Sequence, residues 1–270
     1  MLRISEDALE VVYDGWGEYD GREGFESVRL ADGEEMVAGP AVPVELNELV
    51  ESLVSDLLAF PPHPNLLAVK GVAEAVDGGL RVLMEWTDSE SLQRWQEDAE
   101  EGKINPESVP GIVAAVARAI EAVHASGEVH GKVCPKNVYF GKGLVPKLLP
   151  SSLLRPDPEF ALGRIVVDRD ALAYVAPEVV TGGELGTAAD AWALGIMIYD
   201  LYNGGYPWYG QLEEQILDRV ANCDLPLGPQ QSFPPAAREL IAALCTRDPA
   251  ARLGADGMAA VLDHPFFSGA

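Results

Sequence analysis

At 270 residues and 48% hydrophobic content, the chain is long enough to bury a substantial core, either as one large domain or as two lobes. Its net charge of −24 is concentrated at the start, where residues 1–100 hold 23 acidic and 6 basic side chains; such a surface repels nucleic acid and anionic lipid and attracts a basic protein patch, unless it serves only solubility. No uncharged apolar run of about 18 residues occurs, the start MLRISEDALE lacks a basic region followed by an apolar one, and Cys134, Cys223 and Cys245 suit neither a disulfide framework nor a zinc site, so the reading is a soluble, cytoplasmic protein in a reducing compartment, without membrane span or secretory leader.

Up to about residue 40, short apolar runs broken by Gly and Asp (LEVVYDG, FESVRLADG, EMVAGP) predict β-hairpins, with Ala31 to Gly33 as one turn. From Val44 the period changes, and Leu46, Leu49, Val50, Leu53, Val54, Leu57 and Leu58 recur at three- and four-residue steps. This predicts an amphipathic helix opened by Pro43 and stopped before Pro61. LLAVKGVAEAV and LRVLMEW flank Asp77-Gly78-Gly79 as a second hairpin, for a sheet of about five strands and one helix. Beyond Trp86 the pattern is mostly helical. Val109, Ile112, Val113, Val116, Ile120 and Val123 form one buried stripe ending near Gly127. An irregular, Pro-rich stretch runs from Pro146 to Ala176, and four more helices are expected around Asp190–Tyr202, Leu212–Val220, Ala236–Leu244 and Met258–Leu262.

Four stretches of this second part stand out: HGKVCPKNVYF (His130 to Phe140), YVAPEVV (Tyr174 to Val180), DAWALG (Asp190 to Gly195), and DPAARLG with HPFF (Asp248 to Phe267). In that order they resemble the catalytic loop, the Ala-Pro-Glu motif, the Asp-x-Trp-x-x-Gly motif and the closing helix of the eukaryotic-type protein kinase family. The resemblance covers nearly the whole chain. It implies an α+β bilobal fold, with a kinase-like N-lobe over residues 1–85 (a small antiparallel sheet plus one main helix) and a mostly helical, Ser/Thr-kinase-like C-lobe over residues 86–270. It also implies structural roles for His130, for Asp190 holding the catalytic-loop backbone, and for a buried Glu178–Arg252 ion pair.

The positions that do chemistry in that family carry other residues here. Lys132 stands for the Asp that accepts the substrate hydroxyl's proton, and Gly131 for the Arg before it; an ammonium is no base and repels an incoming metal ion. In GREGFESV, Gly21, Glu23, Glu26 and Val28 fall at the places of the Gly-x-Gly-x-x-Gly-x-Val loop. A carboxylate about 4 Å from a phosphate oxygen costs roughly 4 kcal/mol at an effective dielectric of about 20, unless the hairpin sits out of that register and both Glu side chains meet water. Pro40 takes the place of the phosphate-pairing Lys, with Glu48 and Glu51 on the solvated side of the following helix. Pro150, Ser151 and Ser152 replace Asp-Phe-Gly, leaving Asn137 as the remnant of the metal set. Cys134 replaces a Lys that contacts the transferred phosphate, and Tyr139 a small apolar residue beneath the adenine.

The resemblance is thus to a catalytically degenerate member, a pseudokinase, with no cofactor and no metal expected. The implied function is a protein-binding scaffold or allosteric subunit, its partner a protein with a basic surface or a larger assembly, and not nucleic acid or membrane. Two alternatives remain open: an enzyme that reuses the fold for another transfer reaction through Lys132 or Cys134, and a nucleotide sensor that works without metal.

Overall fold

The structure, a computed structural model, describes residues 2–5, 9–13, 26–30, 32–39, 41–87, 91–151, 169–228 and 233–268. In the small lobe, β1 (Leu2–Ser5), β2 (Glu10–Tyr13), β3 (Glu26–Arg29), β4 (Glu35–Ala38), β5 (Val69–Glu74) and β6 (Leu80–Glu85) form one sheet in the order β1-β5-β6-β4-β3-β2. All neighbours are antiparallel except β1, which runs parallel to β5 with Leu2 opposite Gly71 and Ser5 opposite Glu74. The sheet therefore has six strands, not about five. The Leu2–Ser5 run is too short to announce itself by alternation; it is a strand because it finds the open edge of β5.

Turn chemistry closes the hairpins. Gly33 (φ 90°) donates its N–H to Leu30 O between β3 and β4, and Asp77 Oδ1 accepts the Gly79 N–H at 3.0 Å between β5 and β6. A 3₁₀ turn at Val44–Leu46 leads into α1 (Asn47–Ala59), which stops ahead of Pro61 as its pattern predicts. Val37 pairs with Met84 on the sheet face that buries Val50 and Val54 of α1, whereas Ala38 pairs with Leu83 on the other face, beside Val28, Met36 and Ala73. The strand period of two sorts the same two strands into two separate cores.

The large lobe contains α2 (Leu92–Asp98), α3 (Val109–Ala125), α4 (Pro177–Val180), α5 (Thr187–Asn203), α6 (Glu213–Asn222), α7 (Pro235–Leu244) and α8 (Ala259–Leu262). The predicted stripe of α3 is buried at every position, and full burial of each Val or Ile contributes roughly 1.5–3 kcal/mol, well above what helix propensity supplies. Every residue of α5 from Ala189 to Tyr202 is buried, so its sequence is apolar on nearly all sides and includes two Asp that must find partners inside.

Between the lobes, β7 (Val138–Gly141) pairs antiparallel with β8 (Val145–Leu148). The start of the stretch expected to be irregular is thus a strand. Pro146 is tolerated because this ladder is only two strands wide, and its carbonyl accepts from Asn65 Nδ2 at 3.0 Å. β8 also fastens the lobes together: Leu67 N–H donates to Leu148 O, Leu148 N–H donates to Asn65 O, and Lys147 Nζ lies 2.9 Å from Glu85 Oε1. The same Glu85 oxygen accepts the Ala68 N–H at 2.6 Å. No helix among the described residues is long and apolar enough to cross a membrane.

Candidate functional site

The loop from His130 to Asn137 hangs between α3 and β7, and Asp190 near the start of α5 holds it from below. Asp190 Oδ2 accepts from His130 N at 2.9 Å and from His124 Nε2 at 2.8 Å, and its Oδ1 accepts from Gly131 N at 2.6 Å. His130 is wholly buried. Its Nε2 donates to Leu149 O at 2.9 Å while its Nδ1 accepts the Lys132 N–H at 3.2 Å, an arrangement that needs the neutral ring with its proton on Nε2. Gly131 has φ 70°, and a Cβ there would stand 2.8 Å from Leu185 Cδ2. The loss of a side chain at this position therefore suits the backbone as well as removing a cation.

Asn137 Nδ2 donates to the Lys132 carbonyl at 2.7 Å, so this amide closes the loop on itself. Lys132, Pro150 and Ser151 are half-buried, and Ser152 lies outside the described residues. Glu23 and Pro40 also lie outside them, and Glu26 is described by its backbone alone, opposite Ala38 in the ladder. Gly39, the residue before Pro40, donates its N–H to Val82 O and accepts from Arg81 Nε at 2.8 Å. On α1, Glu48 is exposed and Glu51 pairs with Arg3 of β1 at 2.7 Å, both on the outer side of the helix. Val28 packs on the sheet face away from α1, with Met36, Ala38, Ala73 and Leu83. Among the described residues no three His, Cys, Asp or Glu side chains gather as a metal site.

Tyr139 belongs to β7 of the large lobe but packs into the core of the small one. It is 5% exposed and shares a cluster with Val37, Val50, Val54, Leu67, Val69 and Met84, joined by Leu149 from the other side of the cleft. Its ring and the Leu149 side chain therefore fill the space between the sheet, α1 and the loop.

Two further constellations brace the large lobe. Arg252 grips Glu178 through two parallel bonds, Nη1 to Oε1 at 2.8 Å and Nη2 to Oε2 at 2.9 Å, and also donates to Thr246 O and Ala188 O. Its guanidinium lies 5.5 Å from the centre of the Trp192 ring. Asp200, 6% exposed, accepts from Tyr174 Oη and from Gln96 Nε2 at 2.7 Å. Burial raises its carboxyl to about 6 despite those two bonds, and the same burial, with Asp200 beside it, drives the Tyr174 phenol well above its usual range. Cys134 is buried at the edge of a cavity of about 210 Å³ that Lys136, Tyr174, Asp200, Tyr206 and Tyr209 also line. Sequence reasoning missed the Tyr174–Asp200–Gln96 group, and no spacing rule links residues 104 positions apart.

A twisted sheet with one helix, a two-stranded clasp and a helical lobe whose buried Asp holds a His-Gly-Lys loop together define a kinase-type bilobal protein. Residues 49–267 match the family model of the protein kinase domain, and the chain belongs to that family. It is similar to Phototropin-1A of Oryza sativa subsp. japonica, 28% identical over 254 residues, which is 81% of this chain and 26% of that protein. It is also similar to Calcium-dependent protein kinase 1 of Arabidopsis thaliana, 28% identical over 215 residues (76% of this chain, 33% of that protein). Over a shorter stretch of 99 residues it is 46% identical to Protein kinase PINOID of Oryza sativa subsp. japonica, 35% of this chain and 20% of that protein. The chain thus spans a fifth to a third of the length of these curated relatives. Strands β1 to β4 precede the matched residues, and the sheet ladder joins them to β5 and β6.

Proposed function

We propose that the protein is a pseudokinase that works by binding a protein partner, as a scaffold or allosteric subunit, without transferring phosphate. The observation that carries this reading is Tyr139, whose buried ring packs among Val37, Val50, Val54, Leu67 and Met84 at the position where the resemblance puts a small apolar residue beneath the adenine. The residues present do not fit a magnesium-bound nucleotide. Pro150 offers no carboxylate to a metal ion, Asn137 is engaged with the loop backbone, and Gly39 and Pro40 supply no cation for the phosphates. Phosphoryl transfer depends on positioning and charge neutralisation, and a missing general base alone forfeits about 10²- to 10⁴-fold in rate. The interlobe bonds of β8 and the Lys147–Glu85 pair, which tie the two lobes to each other directly, support a platform role. Of the alternatives, a repurposed transferase is less well supported because Lys132 is not among the residues lining the cavity that holds Cys134, and a metal-free sensor because Tyr139 stands where the adenine's small apolar neighbour would be.

Thermal unfolding with millimolar ATP, with and without magnesium, tests the reading. A micromolar site would stabilise the protein by about 4 kcal/mol under those conditions. No shift is expected, and a clear magnesium-dependent rise in Tm would sink the proposal. A radiolabel transfer assay on Lys132→Asp is expected to stay at background, because a base is useless without a bound and neutralised triphosphate. Transfer above background in that variant would show that nucleotide binds productively and that Lys132 was the sole block.

A further inference from the structure

We infer that His63 makes the joint between the two lobes sensitive to acid: its neutral ring holds a short strap against β8, and a proton on that ring lets the strap go. The strap is His63 to Leu67, between α1 and β5. Asn65 O accepts from Leu148 N–H at 2.8 Å, Leu67 N–H donates to Leu148 O at 2.9 Å, and Asn65 Nδ2 donates to Pro146 O at 3.0 Å. Successive side chains of an extended segment point opposite ways, and here Leu66 packs into the core of the large lobe while Leu67 packs into that of the small one. Whatever positions the strap therefore positions one lobe on the other.

His63 stands at the root of the strap. Asn65 N–H donates to His63 Nδ1 at 3.2 Å, and Leu66 N–H donates to the His63 carbonyl at 3.2 Å. Only an unprotonated Nδ1 can accept, so this turn requires the neutral ring with its proton on Nε2. The ring is half-buried, and it faces Lys147 of β8 together with Arg118 and Glu121 of α3. Lys147 in turn pairs with Glu85 at 2.9 Å and reaches Leu66 O at 3.5 Å. On the strap's own side, Pro61, Pro62 and Pro64 bring neither charge nor backbone N–H. Burial holds His63 below its ordinary pKa of 6.5, Lys147 and Arg118 push it the same way, and Glu121 opposes them.

A proton on Nδ1 would point at the Asn65 N–H and end that bond, and it would add a third cation beside Lys147 and Arg118. The folded joint thus binds this proton less tightly than a freed strap does. The stabilisation that His63 gives is complete above about 6.5 and is lost as pH falls through the lower folded value. Each lobe keeps a core of its own, so acid loosens the seam rather than the fold of either part. This inference does not rest on the protein-binding reading; it makes the proposed platform rigid at neutral pH and looser in acid.

The test joins two measurements on the intact protein: an NMR titration of the histidine rings, with His63 assigned by its loss in His63→Asn, and hydrogen exchange of residues 64–69 and 145–149 between about pH 7.5 and 5. An Asn Oδ1 can accept the same N–H two residues on and does not titrate, so His63→Asn should keep the parent's fold and protection at neutral pH. His63 is expected to titrate below 6.5. Protection of the Leu67 and Leu148 amides, corrected for intrinsic exchange, should fall toward pH 5, approaching about tenfold for each pH unit between the measured value and the ordinary one. In His63→Asn it should not change over that range. Two exposed neighbours keep the test available if that variant folds poorly: Arg118→Gln should raise the His63 titration and Glu121→Gln should lower it. A His63 pKa at or above 6.5, unchanged protection at pH 5, or an equal fall in His63→Asn would overturn the proposal.

Discussion

Replacing Arg252 with Ala is expected to destabilise the protein by about 3–5 kcal/mol, the range for a buried carboxylate stripped of its partner. The side chain of Arg252 is fully buried and that of Glu178 is 16% exposed, so water reaches the acid only partly and cannot replace a two-pronged bond. The loss extends beyond one pair, since Arg252 also satisfies the carbonyls of Ala188 and Thr246 and lies over Trp192. These join the segment after α7 to the first turn of α5 and to α4. Arg252→Lys should recover only part of the deficit, because an ammonium cannot match both carboxylate oxygens at once. Equilibrium unfolding in urea measures the difference directly, and a loss below about 1 kcal/mol in the Ala variant would mean that the pair is a surface contact.

Asp200→Asn should have the opposite sign. The carboxyl has a folded-state pKa of about 6 against an ordinary value of 3.8, so the folded protein holds this proton to higher pH than the unfolded chain does. Its favourable contribution is complete below the ordinary value and is lost as pH rises through about 6. At pH 7.5 the parent therefore carries a buried ionised group that Asn replaces with a neutral one. An amide can still accept from Gln96 and donate to the Tyr174 oxygen. A gain on the order of 1–3 kcal/mol is expected at pH 7.5, shrinking toward pH 4 as the parent's own carboxyl becomes neutral. Urea unfolding of both proteins across that range checks it. A difference that does not change with pH would show that Asp200 stays ionised throughout and that its two hydrogen bonds fully offset burial.

The sequence by itself determined the elements whose period is local. α1 and α3 are legible because an amphipathic helix writes its buried face into steps of three and four, as at Val109, Ile112 and Val116, and because Pro43, Pro61 and Gly127 punctuate the ends. The hairpins are legible for the same kind of reason, in Gly33 and in Asp77-Gly78-Gly79, where turn chemistry is a property of adjacent residues. Motif order was enough to point to Glu178, Arg252, Asp190 and the His130 loop, and to the cation and proline now standing at Lys132 and Pro150. Only the tertiary structure decided what depends on partners far along the chain. β1 is a strand because β5 offers it an edge, the Gly131 position is shaped by Leu185 and Asp190, and Asp200 acquires its proton affinity from burial beside Tyr174 and Gln96. Tyr139 shows the division most clearly. Its place in the motif is written in the sequence, but a ring at that place can turn toward solvent or into the cleft. The choice is made by the volume left among Val37, Met84 and Leu149, which exists only after both lobes have folded and β8 has joined them.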